Sequence, residues 1–416
     1  MSESTSSPTG VAADVLDAVR ARRAAWLEFL EKLVRCESPT SDAASQNAVF
    51  ELLAEELADI DFETLRLPGN ESGGLQLAAP RGRDFGGVDL ELEHPLPHVD
   101  APLPVQLLLG HCDTVWRVGT LADMPVRRDG ALMYGPGIFD MKAGLAQTVF
   151  ALRTLRELGL EPDLMPLMLV NSDEELGSRE SAPLIERVAM QARRVYVMEP
   201  ALGRDGRLKT ARKGVGQFTL TVHGKAAHAG LDPEAGASAI LELSHQVQKL
   251  FAMNEPAAGV SVNVGIVEGG TRANVIAPHA RAVIDVRVPD AVAAQKITFG
   301  IHGLVAVTPG VKLQVSGAVE RAPLERNARN QALWRLAQRA AAELGLPLDE
   351  GLAGGGSDGN LTSPHAATLD GLGGVGDGAH AAHEHIDVER SLVRCALLAM
   401  LLLAQDREST PATGTE

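Results

Sequence analysis

Apolar positions recur at three- and four-residue spacing from about Val15 to Leu57, and "ESPTSD" (37–42) interrupts them with Pro39 and residues that favour helix starts. Two helices are predicted there. The run "PVQLLLGHCDTVW" differs, being continuously apolar until it breaks at a glycine, as a buried strand does on passing into a loop. "DMKAGLAQTVFALRTLREL" returns to the helical period, "LMPLMLVNS" predicts a second strand, "SAPLIERVA" a helix and "RVYVMEP" a third strand. Strands alternating with helices predict an α/β fold with a mostly parallel sheet covered by helices on both faces.

Around "KTARKG" (209–214) the pattern changes. "VGQFTLTVHG", "SVNVGIVEGG" and "ARAVIDVRVP" alternate with period two, "GASAILELSHQVQKLFA" and "KITFGIHGLVAV" read as helices, and "VKLQVSGAV" reads as a strand. Strand–helix–strand–strand–helix–strand order predicts a small α+β sandwich with one open sheet face and exposed edges. After about Ala322 helix and glycine-rich loops return, beginning with "NQALWRLAQRAAAELG". Residues 214–321 are therefore expected to form a domain inserted into a discontinuous larger one, 1–213 with 322–416, and a length of 416 residues suits two cores. The proline-punctuated acidic segment 81–104 reads as a surface loop with no functional assignment.

Charge narrows the partners. With 54 Asp and Glu against 38 Lys and Arg, the net charge of −16 argues against nucleic acid or an anionic membrane. Cys36, Cys112 and Cys395 are too widely separated for a disulfide framework or a zinc knuckle, and they fit a reducing compartment. The opening "MSESTSSPTGVAADVLDAVRARR" lacks a signal-peptide layout and reads as a polar tail before a helix. "CALLAMLLLA" (395–404) is too short to span a bilayer and reads as a buried helix. A cytoplasmic protein is expected.

In open α/β sheets, ligands gather beyond the carboxyl ends of the strands. Acid and histidine clusters fall at such places: His111 and Asp113 in "GHCDTVW", Asp140 in "GPGIFDMKAG", and Asp173, Glu174 and Glu175 at the end of the second strand. Glu199 follows in "VMEP", and His380, His383 and His385 in "GDGAHAAHEHIDVER". Singly, each is plainer as a solvated or hydrogen-bonded side chain. Jointly, imidazoles with carboxylates suit Zn²⁺, with Co²⁺ or Mn²⁺ also compatible. One carboxylate can bridge two ions about 3.5–4 Å apart. Asp113 shares a face with His111 if the backbone is extended, and can accept the imidazole N–H. Glu174 and Glu175 would point to opposite faces of a strand, so both serve one centre only where the strand has become a loop, which Gly177 permits.

With these motifs in this order, from about Leu27 to Leu403, the chain resembles the co-catalytic di-zinc aminoacylase and carboxypeptidase family (metallopeptidase family twenty). The resemblance implies a zinc-exopeptidase-like catalytic domain holding two Zn²⁺ per subunit. His111 and Glu199 would bind the first, Glu175 and His380 the second, and Asp140 would bridge both. It gives Asp113 the part of orienting His111 and Glu174 that of general base, which takes a proton from the metal-activated water and passes it to the leaving amine. Asp173, His383 and His385 remain supporting or surface groups.

The same resemblance makes the inserted domain a lid and dimerisation domain. Its His228, in "GKAAHAGLDPEAGASA", would stabilise the carbonyl oxyanion in the active site of the other subunit of a homodimer. Asn274 in "GGTRANVIAP" and Arg287 in "VIDVRVP" would hold a substrate carboxylate, assisted by Arg321 in "VERAPLERN". Gly355, Gly356 and Ser357 in "AGGGSDGN" (353–360) match a Gly-Gly-Ser/Thr-Asp loop beside the pocket. "MEP", "RKG", "GKAAHAG" and "DVRV" look nearest to the glutamate carboxypeptidases of that family. Zinc-dependent removal of a C-terminal, glutamate-type amino acid from a peptide or N-acyl amino acid is therefore expected. The alternative is an N-acyl-amino-acid deacylase of the acetylornithine deacetylase or succinyl-diaminopimelate desuccinylase type. A non-catalytic metal-binding scaffold is a third reading, opposed by the retention of every residue of the centre.

Overall fold

The computed structural model of the chain describes residues 10–93 and 103–405, and it divides into two compact units. The central part of the acidic segment, 94–102, and the first nine residues lie outside the described residues.

The first unit comprises residues up to Thr210 together with Arg326–Gly351 and the chain from Ser357 onward. Its core is a six-stranded sheet. Four strands run parallel in the spatial order Met165–Asn171, Leu103–His111, Ala192–Val197 and Ala367–Leu369. The central pair is buried along almost its whole length, as continuous apolar runs between two helical layers must be. One helical layer contains Val11–Ala21, Arg23–Arg35, Ala43–Ala58, Ala143–Glu157 and Val388–Leu403, and shares a core with Trp26, Phe29, Phe50 and Leu398. The other face is covered by Ala182–Gln191, through Leu184, Ile185 and Val188.

Two departures from the sequence reading have local causes. The N-terminal region holds three helices rather than two, because the first breaks at Arg22 with neither glycine nor proline to mark it. The second break falls where expected, and Asp42 caps Ala43–Ala58 by accepting from the amides of Ala44 and Ser45. An unforeseen antiparallel hairpin, Phe62–Leu67 with Leu75–Pro80, adds two strands to the edge beside Met165–Asn171.

The second unit comprises Ala211–Glu325 and Leu352–Gly356. The short second piece falls outside the expected 214–321 because it is tied down locally. Lys213 donates its amide to Ala353, and the Arg212 guanidinium donates to the carbonyls of Gly355 and Gly356. Four antiparallel strands lie in the order Ser261–Gly269, His279–Val288, Gly214–His223, Lys312–Arg321. The inner two alternate buried and partly exposed positions, so one face packs on the helices Ala239–Phe251 and Ala291–His302. Among the described residues no helix is long and apolar enough to cross a membrane.

Candidate metal centre

Strand register assembles most of the site. Leu103–His111 lies between its two parallel neighbours, with His111 opposite Asn171 and Leu109 opposite Val197. His111 ends the central strand, Glu175 follows Asn171 through the 3₁₀ turn Glu174–Leu176, and Glu199 lies two residues beyond Val197. All three side chains therefore reach the carboxyl edge of one parallel sheet, the place where such sheets bind ligands. Asp140 comes from the irregular helical turn Ile138–Lys142, and His380 from the turn before the strand His385–Asp387.

These residues form two ligand sets that share Asp140. One joins His111, Asp140 and Glu199, the other Asp140, Glu175 and His380, with the ligand atoms of each set within 4.8 Å of one another. His111 Nε2 is 3.4 Å from Asp140 Oδ1 and 3.4 Å from Glu199 Oε1. His380 Nε2 is 3.4 Å from Asp140 Oδ2 and 3.1 Å from Glu175 Oε2. Each Asp140 oxygen thus faces a different imidazole.

Those spacings fit cations better than hydrogen bonds. Two ligand atoms held about 2.0–2.1 Å from one tetrahedral ion stand roughly 3.3–3.4 Å apart. His111 Nε2 and Glu175 Oε1 are buried without a hydrogen-bond partner, which suits atoms placed to ligate a cation. Nitrogen and carboxylate oxygen donors around a shared carboxylate suit a pair of borderline divalent cations.

The electrostatics of the centre agree. Burial disfavours charge on His111, but the carboxylates of Asp113, Asp140 and Glu199 outweigh it and raise the imidazole well above its usual value. The Asp140 and Glu175 carboxylates beside it raise His380 to about 10. Burial pushes Asp140 upward, yet the two imidazoles hold it below the usual carboxylate range. Glu175 is raised, chiefly by burial, with His380 pulling the other way. The carboxylates thus draw positive charge toward the centre.

Asp113 supports the centre more broadly than expected. His111 Nδ1 meets the main-chain oxygen of Asp113 at 3.0 Å, nearer than the carboxylate at 3.4 Å. The carboxylate instead accepts the amides of Glu174 at 3.3 Å and Glu175 at 3.2 Å, and the Thr40 hydroxyl at 2.7 Å. It therefore braces the turn that carries the candidate base. Asp173 accepts the amides of Glu180 and Ser181 and the Ser181 hydroxyl, and belongs to neither ligand set. His383 and His385 also lie outside both sets, and His385 packs against Tyr134 with ring centroids 5.1 Å apart.

Some supporting residues escaped sequence reasoning. Lys209 Nζ lies 3.7 Å from Glu199 Oε2 with both side chains nearly buried. Asp358 accepts from Asn171 Nδ2 at 2.9 Å and from the Ser178 hydroxyl, gripping both ends of the acidic turn. Glu384 is fully buried and lies between His383 and His385. The signal available for Asp358 was its place in the glycine-rich loop; Lys209 and Glu384 carried none.

The expected substrate residues divide between the units. Ser357 belongs to the first, and its hydroxyl is buried and donates to Asp370 at 2.6 Å. That bond secures the loop expected beside the pocket. Gly355 and Gly356 belong to the second unit, as do His228, Asn274, Arg287 and Arg321. His228 Nδ1 accepts the amides of Gly230 and Leu231, both at 3.1 Å, which places the ring proton on Nε2 and makes that atom a donor. Arg287 forks onto Asp285, two residues away on the same strand face, at 3.0 and 3.1 Å. Asn274 accepts the Ala229 amide through its main chain, and Arg321 ends the strand Lys312–Arg321.

A shared carboxylate between two imidazole–carboxylate sets, at the carboxyl edge of a parallel sheet, defines the class of dinuclear metallohydrolases. Residues 107–405 match the model of peptidase family M20/M25/M40, and the chain belongs to that family. It is 33% identical over 266 residues to carboxypeptidase G2 of Pseudomonas sp. (strain RS-16), covering 63% of this chain and 60% of that relative. With succinyl-diaminopimelate desuccinylase of Azoarcus sp. (strain BH72) it shares 25% identity over 307 residues, 69% of this chain and 79% of the relative. The crystal structure of aminopeptidase PepT from Bacillus cereus superimposes with a TM-score of 0.71 at 22% identity, covering 92% of this chain and 98% of the other.

Proposed function

We propose that the chain is a zinc-dependent metallo-carboxypeptidase that releases a C-terminal, glutamate-type amino acid from peptides or N-acyl amino acids. The observation that carries the amide-hydrolase reading is the pair of ligand sets joined through Asp140. Bound there, two divalent cations would polarise the scissile carbonyl and make a water nucleophilic at neutral pH. Glu174 takes the proton of the attacking water and delivers it to the departing nitrogen, with its turn held by Asp113. His228 offers Nε2–H to the developing oxyanion, because Nδ1 is already engaged as an acceptor. Arg287, on an inner strand of the second unit, exchanges Asp285 for the substrate carboxylate, a bidentate partner of the same geometry. Residue identity with carboxypeptidase G2 favours release of a C-terminal residue.

The second reading, a deacylase of N-acyl amino acids, draws on the likeness to succinyl-diaminopimelate desuccinylase. A homodimer belongs to either version, formed along the edge strand Ser261–Gly269, where Ile266 and Val267 are 52% and 58% exposed. Amine release from the zinc-loaded protein, measured on peptides and N-acyl compounds ending in glutamate against N-acetyl-ornithine and N-succinyl-diaminopimelate, separates the readings. Preferred cleavage of the glutamate compounds, lost with chelator and restored by Zn²⁺, is expected. Preference for the acyl-diamino acids would replace the first reading with the second.

A further inference from the structure

Glu384 follows His380 by four residues and is 1% exposed. A buried carboxylate is costly unless hydrogen bonds compensate it. Here four donors converge. Oε2 accepts Trp116 Nε1 at 2.7 Å and the Gly137 amide at 2.8 Å, while Oε1 accepts the amides of Phe139 at 2.9 Å and Asp140 at 3.0 Å. Three of the four belong to the segment that ends in the shared ligand Asp140.

That segment needs an external acceptor. Gly137 has φ 71°, and Asp140 (φ −117°, ψ 94°) and Met141 (φ −132°, ψ 36°) leave helical geometry inside the turn Ile138–Lys142. A turn broken in this way cannot satisfy its own amides in a regular ladder. Glu384 gathers them onto one carboxylate. Its main chain adds to the tie: its amide donates to Ala381 at 2.9 Å, closing the His380 turn, and its carbonyl accepts the Gly135 amide at 3.4 Å. One residue thus fastens the His380 turn to the Asp140 segment, and these supply two of the three ligands of the second set.

We propose that Glu384 is a positioning residue of the dinuclear centre. It touches neither cation nor substrate, and fixes the separation of His380 and Asp140 so that the set Asp140, Glu175 and His380 is preformed. This rests on the reading of the site as a two-cation centre.

Titration of metal-free protein with Co²⁺, following visible absorption and bound metal, tests it in wild type, Glu384→Gln and Glu384→Asp. Glutamine keeps the shape but turns an NH₂ toward N–H donors. The Gln variant is expected to bind the second Co²⁺ about 10–100-fold more weakly, with a changed absorption band, and to lose kcat rather than raise KM. The Asp variant, which keeps the charge, should recover part of both. A folded Glu384→Gln protein with wild-type affinity and spectrum for both ions overturns the proposal. If that variant does not fold, hydrogen exchange of metal-free wild type decides. Slow exchange at the amides of Gly137, Phe139 and Asp140 supports a preformed segment, and fast exchange there overturns it. Wild-type protein that binds fewer than two Co²⁺ overturns the two-cation reading itself, whereas an unaffected variant overturns only the part given to Glu384.

Discussion

Asp173, Glu174 and Glu175 are consecutive, yet each answers to a different partner. Asp173 holds the backbone and hydroxyl of Ser181, Glu175 faces His380, and Glu174 is fixed through its amide to Asp113. Because Glu174 lies outside both ligand sets, Glu174→Gln should leave metal content near wild type while kcat falls by about 10²–10⁴-fold, the usual worth of a general base. Metal analysis beside steady-state kinetics checks this, and retained turnover would remove Glu174 from the chemistry. A few residues on, Glu180 accepts the hydroxyl and amide of Ser72 and the amides of Asn70 and Glu71. Burial pushes its carboxyl up, but these donors outweigh burial and bring it to about 2. A folded pKa below the unfolded value near 4.3 means stabilisation that is complete above that value and is lost as pH falls toward 2. Melting temperatures of wild type and Glu180→Gln should therefore differ most near pH 7 and converge only as pH falls to about 2. A gap independent of pH would show that the anchor works by packing rather than charge.

At the scale of elements, the decisive event is the conversion of the strand Met165–Asn171 into a turn. Gly177 (φ 96°) and Ser178 (φ 54°) make the reversal, and Asp358 secures Asn171 before it and Ser178 after it. Open space surrounds the position a Gly177 Cβ would take, so Gly177→Ala should cost backbone strain alone, about 1–2 kcal/mol. Chemical denaturation measures that cost, and weaker metal binding should accompany it because Glu175 rides on the turn. The parallel strands and most helices were legible because burial on two faces demands unbroken apolar runs, as in "PVQLLLGH". The hairpin was not, since "FETLRL" is short and its charged Glu63 and Arg66 blur the alternation. Ligand types announced themselves at strand ends, whereas the partners of Glu384 lie 244–268 residues upstream and leave no local pattern.

On the scale of the whole molecule, the second unit exposes a sheet edge of the kind that native sheets protect against unwanted pairing. Placing a charge on it, as Val267→Lys, should convert the proposed dimer into single chains, read by light scattering against the 43.9 kDa chain mass. Wild type that already runs as one chain at every concentration would remove the partner subunit's part in the reaction. Division of the first unit by the second has another consequence, one of timing. His111, Asp140, Glu175 and Glu199 are all made before the inserted residues, while His380 and the outer parallel strand Ala367–Leu369 are made after them. A nascent chain on the ribosome therefore acquires one complete ligand set early and carries the other unfinished through the synthesis of an entire second core. The proposed hydrolytic competence, on this ordering, waits for His380, and so comes after the surface proposed to pair the subunits has already emerged.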